Sequence, residues 1–387
     1  MFKYFTNRIG IHLNILSSEK WETLGNTNTN TNKTKEIIQY LEKEYKIVNE
    51  KELQEERLII ECGERTFIRV NPIENLEDYS LCSCSLLTSV TIPTNLKTIG
   101  KSVFEKCDNL KSIIFSEDSL LTRIGNSAFY GCKNLTCINI PNRVTSIGGW
   151  SFYNCTSLKS INLPDSVTNI GFFAFSGCCS MTSIEISNNV TFIGDSVFCG
   201  CKSVETINLP NNLETIGPRA FGGCCGLKNI TIPNSVKRIG CGAFQDCSSL
   251  TSISIPFIGE KPKGNTQEYF GYIFGGDYLN REKNIPKTLK EVIITGGNNI
   301  CEKAFQGYIR LEKINIPSSV TSIGYNAFYG CRKLTSIVFE DITPWYRTTS
   351  QNNWKNKTDG TQTSVANTSI NATNFTSMYG NYYWYKL

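Results

Sequence analysis

The stretch IGGWSFYNCTSLKSINLPDSVTN (147–169) decides the fold, because the chain starts the same pattern again in IGFFAFSGCCSMTSIEISNNVTF (170–192). The glycine of the Ile-Gly pair recurs at Gly100, Gly125, Gly148, Gly171, Gly194, Gly217, Gly240 and Gly324. Every step from Gly125 to Gly240 is 23 residues, and Cys301 takes the place of the glycine 23 residues before Gly324. A fixed period of this length indicates stacked supersecondary units.

Other positions of the unit keep the same phase. Phe follows the glycine after four residues, Cys after seven and Leu after ten, as in Phe152, Cys155 and Leu158. The segment L-x-x-I-x-I comes next and is usually followed by Pro. Its alternation of apolar and polar residues predicts a half-buried strand, which the proline ends because it donates no ladder hydrogen bond. The spacing by three in A-F-x-x-C-x-x-L predicts a helical turn back to the next strand.

Stacking of these units predicts one continuous core, because a single unit cannot cover its own apolar face. We count eleven strand segments, from Leu87–Ile92 to Leu334–Phe339. Crossover connections within one sheet require parallel strands, and such connections are right-handed. The sequence therefore predicts an α/β repeat protein, a right-handed solenoid with a parallel β-sheet and short helical turns or loops on the other side.

The phrase IGxxAFxxCxxLxxIxIP, carried by residues 84–340 apart from one insertion, resembles the BspA-like leucine-rich repeats. The resemblance implies a curved leucine-rich-repeat solenoid whose parallel sheet forms the concave face, with the turns on the convex side. It also implies surface or secreted proteins of bacteria and some protists that adhere to host matrix proteins or to other cells. The fold alone does not fix the ligand.

Four regions follow from composition and period. Residues 1–33 form a flexible N-terminal segment, and 34–80 form a cap with a helix over 34–57 and a hairpin over 58–70, or else a separate functional domain. Residues 81–340 form the solenoid, with an insertion at 257–288. Residues 341–387 form an aromatic-rich C-terminal cap or tail, in which Trp354 and Trp384 cover the last coil or stack on carbohydrate.

Catalysis is not expected. The chain has one histidine, His12, in the irregular N-terminal stretch, so a Ser-His-Asp or Cys-His site is not supported. The motifs of phosphate, dinucleotide and zinc sites are absent, and no cofactor or metal is predicted. The net charge of +5 is not clustered, which argues against nucleic acid, and no apolar run is long enough for a membrane span.

The 17 cysteines have two interpretations. Residues of the phased series, such as Cys132, Cys155 and Cys178, form a buried ladder of reduced thiols, since free Cys packs as a small apolar residue. Alternatively, neighbours one coil apart form disulfides. The total is odd, so not every cysteine pairs within one chain.

Two surfaces are candidate ligand sites. The insertion is rich in Gly and aromatic residues, and it either contacts a ligand or folds back onto the solenoid. The residues between the apolar members of each strand project outward as a polar strip, which is either a ligand surface or simply solvated. The predicted ligand-binding residues are Tyr269, Phe270, Tyr272, Phe274 and Tyr278 in the insertion and Asn139, Asn162, Glu185, Asn208, Thr231, Ser254 and Asn315 in the strip.

These features predict a non-catalytic binding protein that uses the solenoid for protein–protein contact or for cell and matrix adhesion. The expected partner is a protein or glycan, such as a host matrix protein. The family resemblance places it at the cell surface or outside the cell, although the apolar patch near His12 is too interrupted for a clear signal peptide. The alternative is an intracellular interaction scaffold.

Overall fold

The computed structural model describes residues 46–47, 58–62, 65–69, 73–262, 269–277, 284–350, 360–365, 368–378 and 381–386. The chain forms two compact units, which divide between Asn189 and Val190. Unit 1 holds the earlier coils and unit 2 the later coils, and each unit is described by itself.

Each repeat contributes one coil with two strand positions. The first is the predicted L-x-x-I-x-I segment, where Ser160 pairs in parallel with Ser183, 23 residues later. The second is the residue pair directly before the phased glycine, where Asn169 pairs in parallel with Ser146. We call the sheet of the first position the front sheet and the sheet of the second position the rear sheet. The parallel solenoid is confirmed, whereas the rear sheet was not predicted.

Unit 1 begins with antiparallel strands. The hairpin predicted over 58–70 is confirmed, and its first strand also pairs antiparallel with Leu87–Ile92. The front-sheet strands are β1 (Lys46–Ile47), β2 (Leu58–Cys62), β3 (Arg65–Arg69), β5 (Leu87–Ile92), β7 (Ser112–Phe115), β10 (Ser160–Asn162) and β12 (Ser183–Glu185). The rear-sheet strands are β4 (Asn75–Leu76), β6 (Thr98–Ile99), β8 (Arg123–Ile124), β9 (Ser146–Ile147) and β11 (Asn169–Ile170). The helix predicted over 34–57 is wrong at Lys46–Ile47, which pairs with β3, and the other residues of that prediction lie outside the described ranges.

Unit 2 continues both series and ends with antiparallel strands. Its front-sheet strands are β14 (Thr206–Asn208), β16 (Asn229–Thr231), β18 (Ser252–Ile255), β19 (Glu291–Ile294), β21 (Lys313–Ile316) and β23 (Ser336–Phe339). Its rear-sheet strands are β13 (Phe192–Ile193), β15 (Thr215–Ile216), β17 (Arg238–Ile239), β20 (Asn299–Ile300) and β22 (Ser322–Ile323). The last strands are β24 (Trp345–Thr348), β25 (Thr361–Thr363) and β26 (Tyr383–Tyr385), with helix α1 (Thr368–Thr373) and a π-helical turn at Asn374–Met378. Strand β26 pairs antiparallel with β22 and α1 packs on β23, so the end of both sheets is covered.

The core of each unit is built from columns of identical side chains. In unit 1 the rings of Phe104, Phe129, Phe152 and Phe175 are buried and stacked, with neighbouring centroids 5.1 to 5.2 Å apart. Phe198, Phe221 and Phe244 form the corresponding column of unit 2, at 5.7 and 5.5 Å. Stacked rings gain attraction beyond the burial of their apolar area, which favours the same residue on every coil.

The phased glycine is required by the close approach of successive coils. A Cβ on Gly171 would lie 2.3 Å from the backbone nitrogen of Gly149 and 2.7 Å from the carbonyl carbon of Gly148. Cys301 directly follows β20, as each phased glycine follows its rear-sheet strand. Strand β20 is the first strand of its sheet, so no earlier rear-sheet strand pairs with it in the described part of the chain. This difference explains why one coil accepts a side chain at this position.

The stretch A-F-x-x-C-x-x-L does not form the helical turn that its spacing predicts. Each coil instead has two left-handed residues, the second and the sixth after the glycine, such as Ser127 (φ 55°) and Gly131 (φ 72°). Alternate N–H groups donate to the next coil, as Phe129 N–H does to Ser151 O at 2.7 Å. A helix would keep these donors within its own segment. Bonding between coils therefore prevails over local helix formation.

Candidate functional site

The aromatic insertion is an enlarged coil of the solenoid. Strands β18 and β19 pair directly, with Ser252 opposite Glu291, so the front sheet continues across the insertion without a gap. A 3-10 helix at Phe270–Phe274 takes the place of the usual turns: Phe244 N–H donates to Ile273 O at 2.8 Å. The Phe270 ring lies 4.9 Å from that of Phe305 and thus joins the phenylalanine column.

The insertion rings that the sequence proposed for a ligand are buried. Tyr269, Phe270, Tyr272 and Phe274 have at most 7 % of their surface exposed, and burial raises the pKa of Tyr272 to about 12. Tyr278 lies outside the described residues. A buried ring has no free face that could contact a ligand. The burial of these rings therefore agrees with an insertion that folds back onto the solenoid and disagrees with their use as a contact surface. The physical reason is that these rings fill the core of a coil that lacks the standard motif.

The described tail aromatics are also buried. Trp345, Trp384 and Tyr385 are at most 1 % exposed, and Phe375 packs against Trp384 with ring centroids 4.2 Å apart. Trp354 lies outside the described residues. The arrangement agrees with a cover for the last coil and leaves these three rings without the exposed face that stacking on carbohydrate requires.

The polar strip of unit 1 is exposed and continuous. Asn139 bridges to Asn162, and Asn162 pairs with Glu185 on the next strand. All three side chains are exposed, while Ile161 and Ile184 beside them are buried. The structure therefore brings these three predicted residues together on one face of the front sheet.

The polar strip of unit 2 changes along its length. Thr231 pairs with Ser254, which is only 8 % exposed, and Ile293 separates Ser254 from Asn315. The Oδ1 atom of Asn315 is buried without a hydrogen-bond partner among the described residues. Of the residues predicted for this strip in unit 2, the exposed ones are thus Asn208 on β14 and Thr231 on β16.

A hollow of about 340 Å³ lies on these two strands. Its lining is Thr206, Ile207, Asn208, Leu209, Asn211, Asn229, Ile230, Thr231 and Pro233. Two predicted residues, Asn208 and Thr231, therefore meet in one depression. The lining carries no charge, and the Oδ1 atom of Asn229 accepts a hydrogen bond from the Thr251 hydroxyl at 3.1 Å. Amide and hydroxyl groups of this kind can donate hydrogen bonds to a polar ligand and accept them from it.

The phased cysteines are explained by packing together with hydrogen bonding. Each of seven ladder thiols donates to a backbone carbonyl one coil earlier, at 3.0 to 3.4 Å; Cys155 to Phe129 O and Cys178 to Phe152 O are examples. Both of these cysteines are free thiols, and burial raises the pKa of each well above its usual value. Cysteine thus combines a small apolar volume with a donor that satisfies a buried carbonyl. Among the described residues, no group of His, Cys, Asp or Glu could hold a metal ion.

Comparison with known proteins agrees with this architecture. The family model for the BspA type leucine rich repeat region matches residues 74–185, 168–292 and 283–379, in six copies. The chain belongs to this BspA-type leucine-rich-repeat family. The matching model describes the repeat.

Solved structures include similar proteins. A leucine-rich repeat protein from Bacteroides ovatus is 29 % identical and aligns over 72 % of either chain with a TM-score of 0.50. A leucine rich cell surface protein from Faecalibacterium prausnitzii is 26 % identical over 77 % of this chain and 88 % of that one, with a TM-score of 0.34. The pneumococcal vaccine antigen PcpA is 19 % identical over 70 % of this chain and 72 % of its own, with a TM-score of 0.38. No curated protein matches the sequence.

Within the described ranges, no helix is long and apolar enough to cross a bilayer.

Proposed function

We propose that this protein is a non-catalytic binding protein of the cell surface or the extracellular space, and that it holds a protein ligand on the polar strip of the front sheet. The observation that carries the proposal is the hollow on β14 and β16, where Asn208 and Thr231 of the predicted strip line one depression. The location outside the cell rests on the family resemblance.

The chemistry of the hollow favours a polar, uncharged segment of polypeptide. Thr206 and Asn208 on one strand, and Asn229 and Thr231 on the next, are exposed and present hydroxyl and amide groups. Successive rows are about 4.8 Å apart, as in any parallel sheet. Main-chain N–H and C=O groups of an extended ligand need both donors and acceptors, and these side chains supply both.

A matched pair of variants tests the site. Thr231→Lys places a long cation in the hollow, whereas Thr191→Lys makes the same change at an exposed threonine beside rear-sheet strand β13. The probes are immobilised collagen, fibronectin and laminin and the surface proteins of epithelial cells. We expect Thr231→Lys to weaken binding at least about tenfold, since an unpaired charge must be desolvated there, and Thr191→Lys to bind like the wild type.

Two results would contradict the site. Equal binding by both variants would remove the hollow from the interface, and binding to none of the probes would argue against an adhesion role. Surface biotinylation followed by fractionation tests the location. Recovery of the native protein only with cytosolic markers would replace this proposal with the intracellular interaction scaffold, which a core of reduced thiols also permits.

A further inference from the structure

Four basic residues gather on the turns that precede the last three front-sheet strands of unit 2. The strand register aligns these turns, because Glu291 pairs with Lys313 and Lys313 pairs with Ser336. The residues four and three positions before each of these are therefore equivalent on three successive coils. They are Lys287 and Thr288, then Ile309 and Arg310, then Arg332 and Lys333. We call the four exposed cations the basic cluster: Lys287, Arg310, Arg332 and Lys333.

The three turns of the basic cluster have the same local form. One backbone hydrogen bond closes each turn around its two exposed residues, from Leu289 N–H to Pro286 O at 3.1 Å, from Leu311 N–H to Tyr308 O at 3.4 Å and from Leu334 N–H to Cys331 O at 3.0 Å. Successive coils are about 4.8 Å apart where parallel strands pair. Arg310 and Lys333 are therefore direct neighbours across two coils, and Arg332 adjoins Lys333 along the chain.

Charged residues at equivalent positions on neighbouring coils form ion pairs in other parts of the array. Examples are Asp108 with Lys133 at 3.4 Å, Glu205 with Lys228 at 2.7 Å and Lys290 with Glu312 at 3.0 Å. Arg310 and Lys333 depart from this arrangement because both are positive. Within the described ranges, no ion pair includes a residue of the basic cluster.

The fold does not require these cations. On the coil before the basic cluster, the equivalent residues are Ser248 and Ser249, since Ser252 pairs with Glu291. Neutral side chains thus satisfy the same turn. Like charges on neighbouring coils repel each other, so packing and local electrostatics both favour another choice. A departure of this kind from local preference is expected at functional sites.

Exposed apolar groups accompany the cations. Ile309 is 52 % exposed and lies between Lys287 and Arg332 in the series of equivalent positions. Tyr329, three residues before Arg332, is 51 % exposed. Arginine and tyrosine are enriched in surfaces that contact other proteins. A sulfated polysaccharide would use the cations but would give Ile309 little apolar contact. The combination therefore favours a polypeptide that carries carboxylates and an apolar side chain.

We propose that the basic cluster binds an acidic segment of a partner protein. Carboxylates of the segment pair with the guanidinium groups of Arg310 and Arg332, whose planar donors match a carboxylate in a bidentate way. Lys287 and Lys333 add attraction as compact charges at the edges of the cluster. An apolar side chain of the segment covers Ile309. This surface is separate from the hollow on β14 and β16, and it takes a ligand of different chemistry.

The test is fluorescence anisotropy with the full chain and labelled probes at low salt. The first probe is a peptide with a leucine between two runs of glutamate, and the second has serine in place of that leucine. The third probe is a heparin decasaccharide. The variants are the double substitution Arg310→Ser with Lys333→Ser, and Ile309→Ser, which install the residue type that the preceding coil has at Ser249 and Ser248.

The matched control is Lys202→Ser. Lys202 is an exposed lysine at the equivalent position of an earlier coil in unit 2, where the neighbouring residues are Cys179 and Cys225. Thermal unfolding without peptide shows whether each variant is folded. The double variant should melt at the wild-type temperature or above it, because it removes a repulsion.

We expect the wild type to bind the leucine peptide, and the double variant to bind it about tenfold more weakly. Ile309→Ser should weaken binding of the leucine peptide about threefold and leave the serine peptide unchanged, since only the first has an apolar contact to lose. Lys202→Ser should bind like the wild type. Added salt should weaken every one of these complexes, as screening requires.

The proposal is overturned if the leucine peptide does not bind, or if the double variant binds it like the wild type. An equal loss in Lys202→Ser would show that net charge alone attracts the peptide. An Ile309→Ser variant that binds both peptides like the wild type would remove the apolar contact. Tighter binding of heparin than of the leucine peptide, unchanged by Ile309→Ser, would assign the cluster to a sulfated polysaccharide instead.

Discussion

Replacing Gly171 by alanine tests how strongly the close approach of coils constrains the repeat. The new Cβ would lie 2.3 Å from Gly149 N, and ordinary contact begins at 3.4 Å, so the two coils must separate by about 1 Å. The Gly171 N–H donates to Ile147 O at 2.9 Å, and this bond lengthens with the separation. Loss of a buried backbone hydrogen bond costs about 1–3 kcal/mol, and overpacking adds about as much. We expect the free energy of unfolding to fall by about 3 kcal/mol or more.

Urea unfolding followed by circular dichroism measures this change, with hydrogen exchange of the Ile147–Gly171 region as a local readout. Gly149→Ala is the matched control, because its Cβ would meet Phe172 O at 3.2 Å, a contact that a small shift relieves. We expect that control to cost less than about 1 kcal/mol. If Gly171→Ala also costs less than about 1 kcal/mol at an unchanged denaturant slope, steric exclusion is not the reason for the glycine.

Three further experiments, one labelling reaction and two substitutions, test the core and the last coil. In the native protein, iodoacetamide should label the exposed Cys137 and leave Cys247 unlabelled, because burial raises the pKa of Cys247 to about 12. Mass spectrometry identifies the labelled cysteines. Equal labelling of both cysteines would contradict the buried ladder. The hydrogen bond from Lys386 lowers the pKa of Asp341 from 3.8 to about 2. The stability that this pair adds above about pH 4 should therefore be lost as the pH falls through 2. The free energy of unfolding of Lys386→Met should depend less on pH in this range than that of the wild type. Phe270→Ala should lower the free energy of unfolding by about 3–5 kcal/mol in urea titration, because the ring is 1 % exposed, whereas a ligand-binding ring on a loop would cost little.

The period predicted the strands but not the turns. An alternating segment such as Ser160–Asn162 identifies its buried residue directly, because strand geometry turns every second side chain inward. The turn after Gly125 has an apolar spacing that a helix also has, and its hydrogen bonds go to the next coil. Sequence spacing reports which residues are buried, but it does not report which carbonyl an N–H group reaches. The rear sheet was not predicted because its strands, such as Asn169–Ile170, have only two residues and are too short to show an alternation.

Some residues of the candidate sites could be predicted from the sequence, and others could not. The strip residues Asn139 and Asn162 were predictable, because their exposure follows from the register of the front sheet. The rings of the insertion were misjudged, since aromatic residues outside the repeat phase suggest a ligand surface when only the sequence is seen.

A break in the period is therefore a weak guide to function in this chain. The enlarged coil lacks the standard motif, so it must supply its own core, and Phe270 does so by stacking near Phe305. The exposed rings of Trp150 and Phe172, in contrast, lie where the period is intact. The second residue after the glycine is left-handed on each of these coils, with φ from 53° to 57° at Ser127, Trp150, Phe173 and Arg219, so this backbone does not select one residue type. In a regular array, where packing explains the phased residues, the informative positions are those where the chain departs from what packing prefers without burying the side chain.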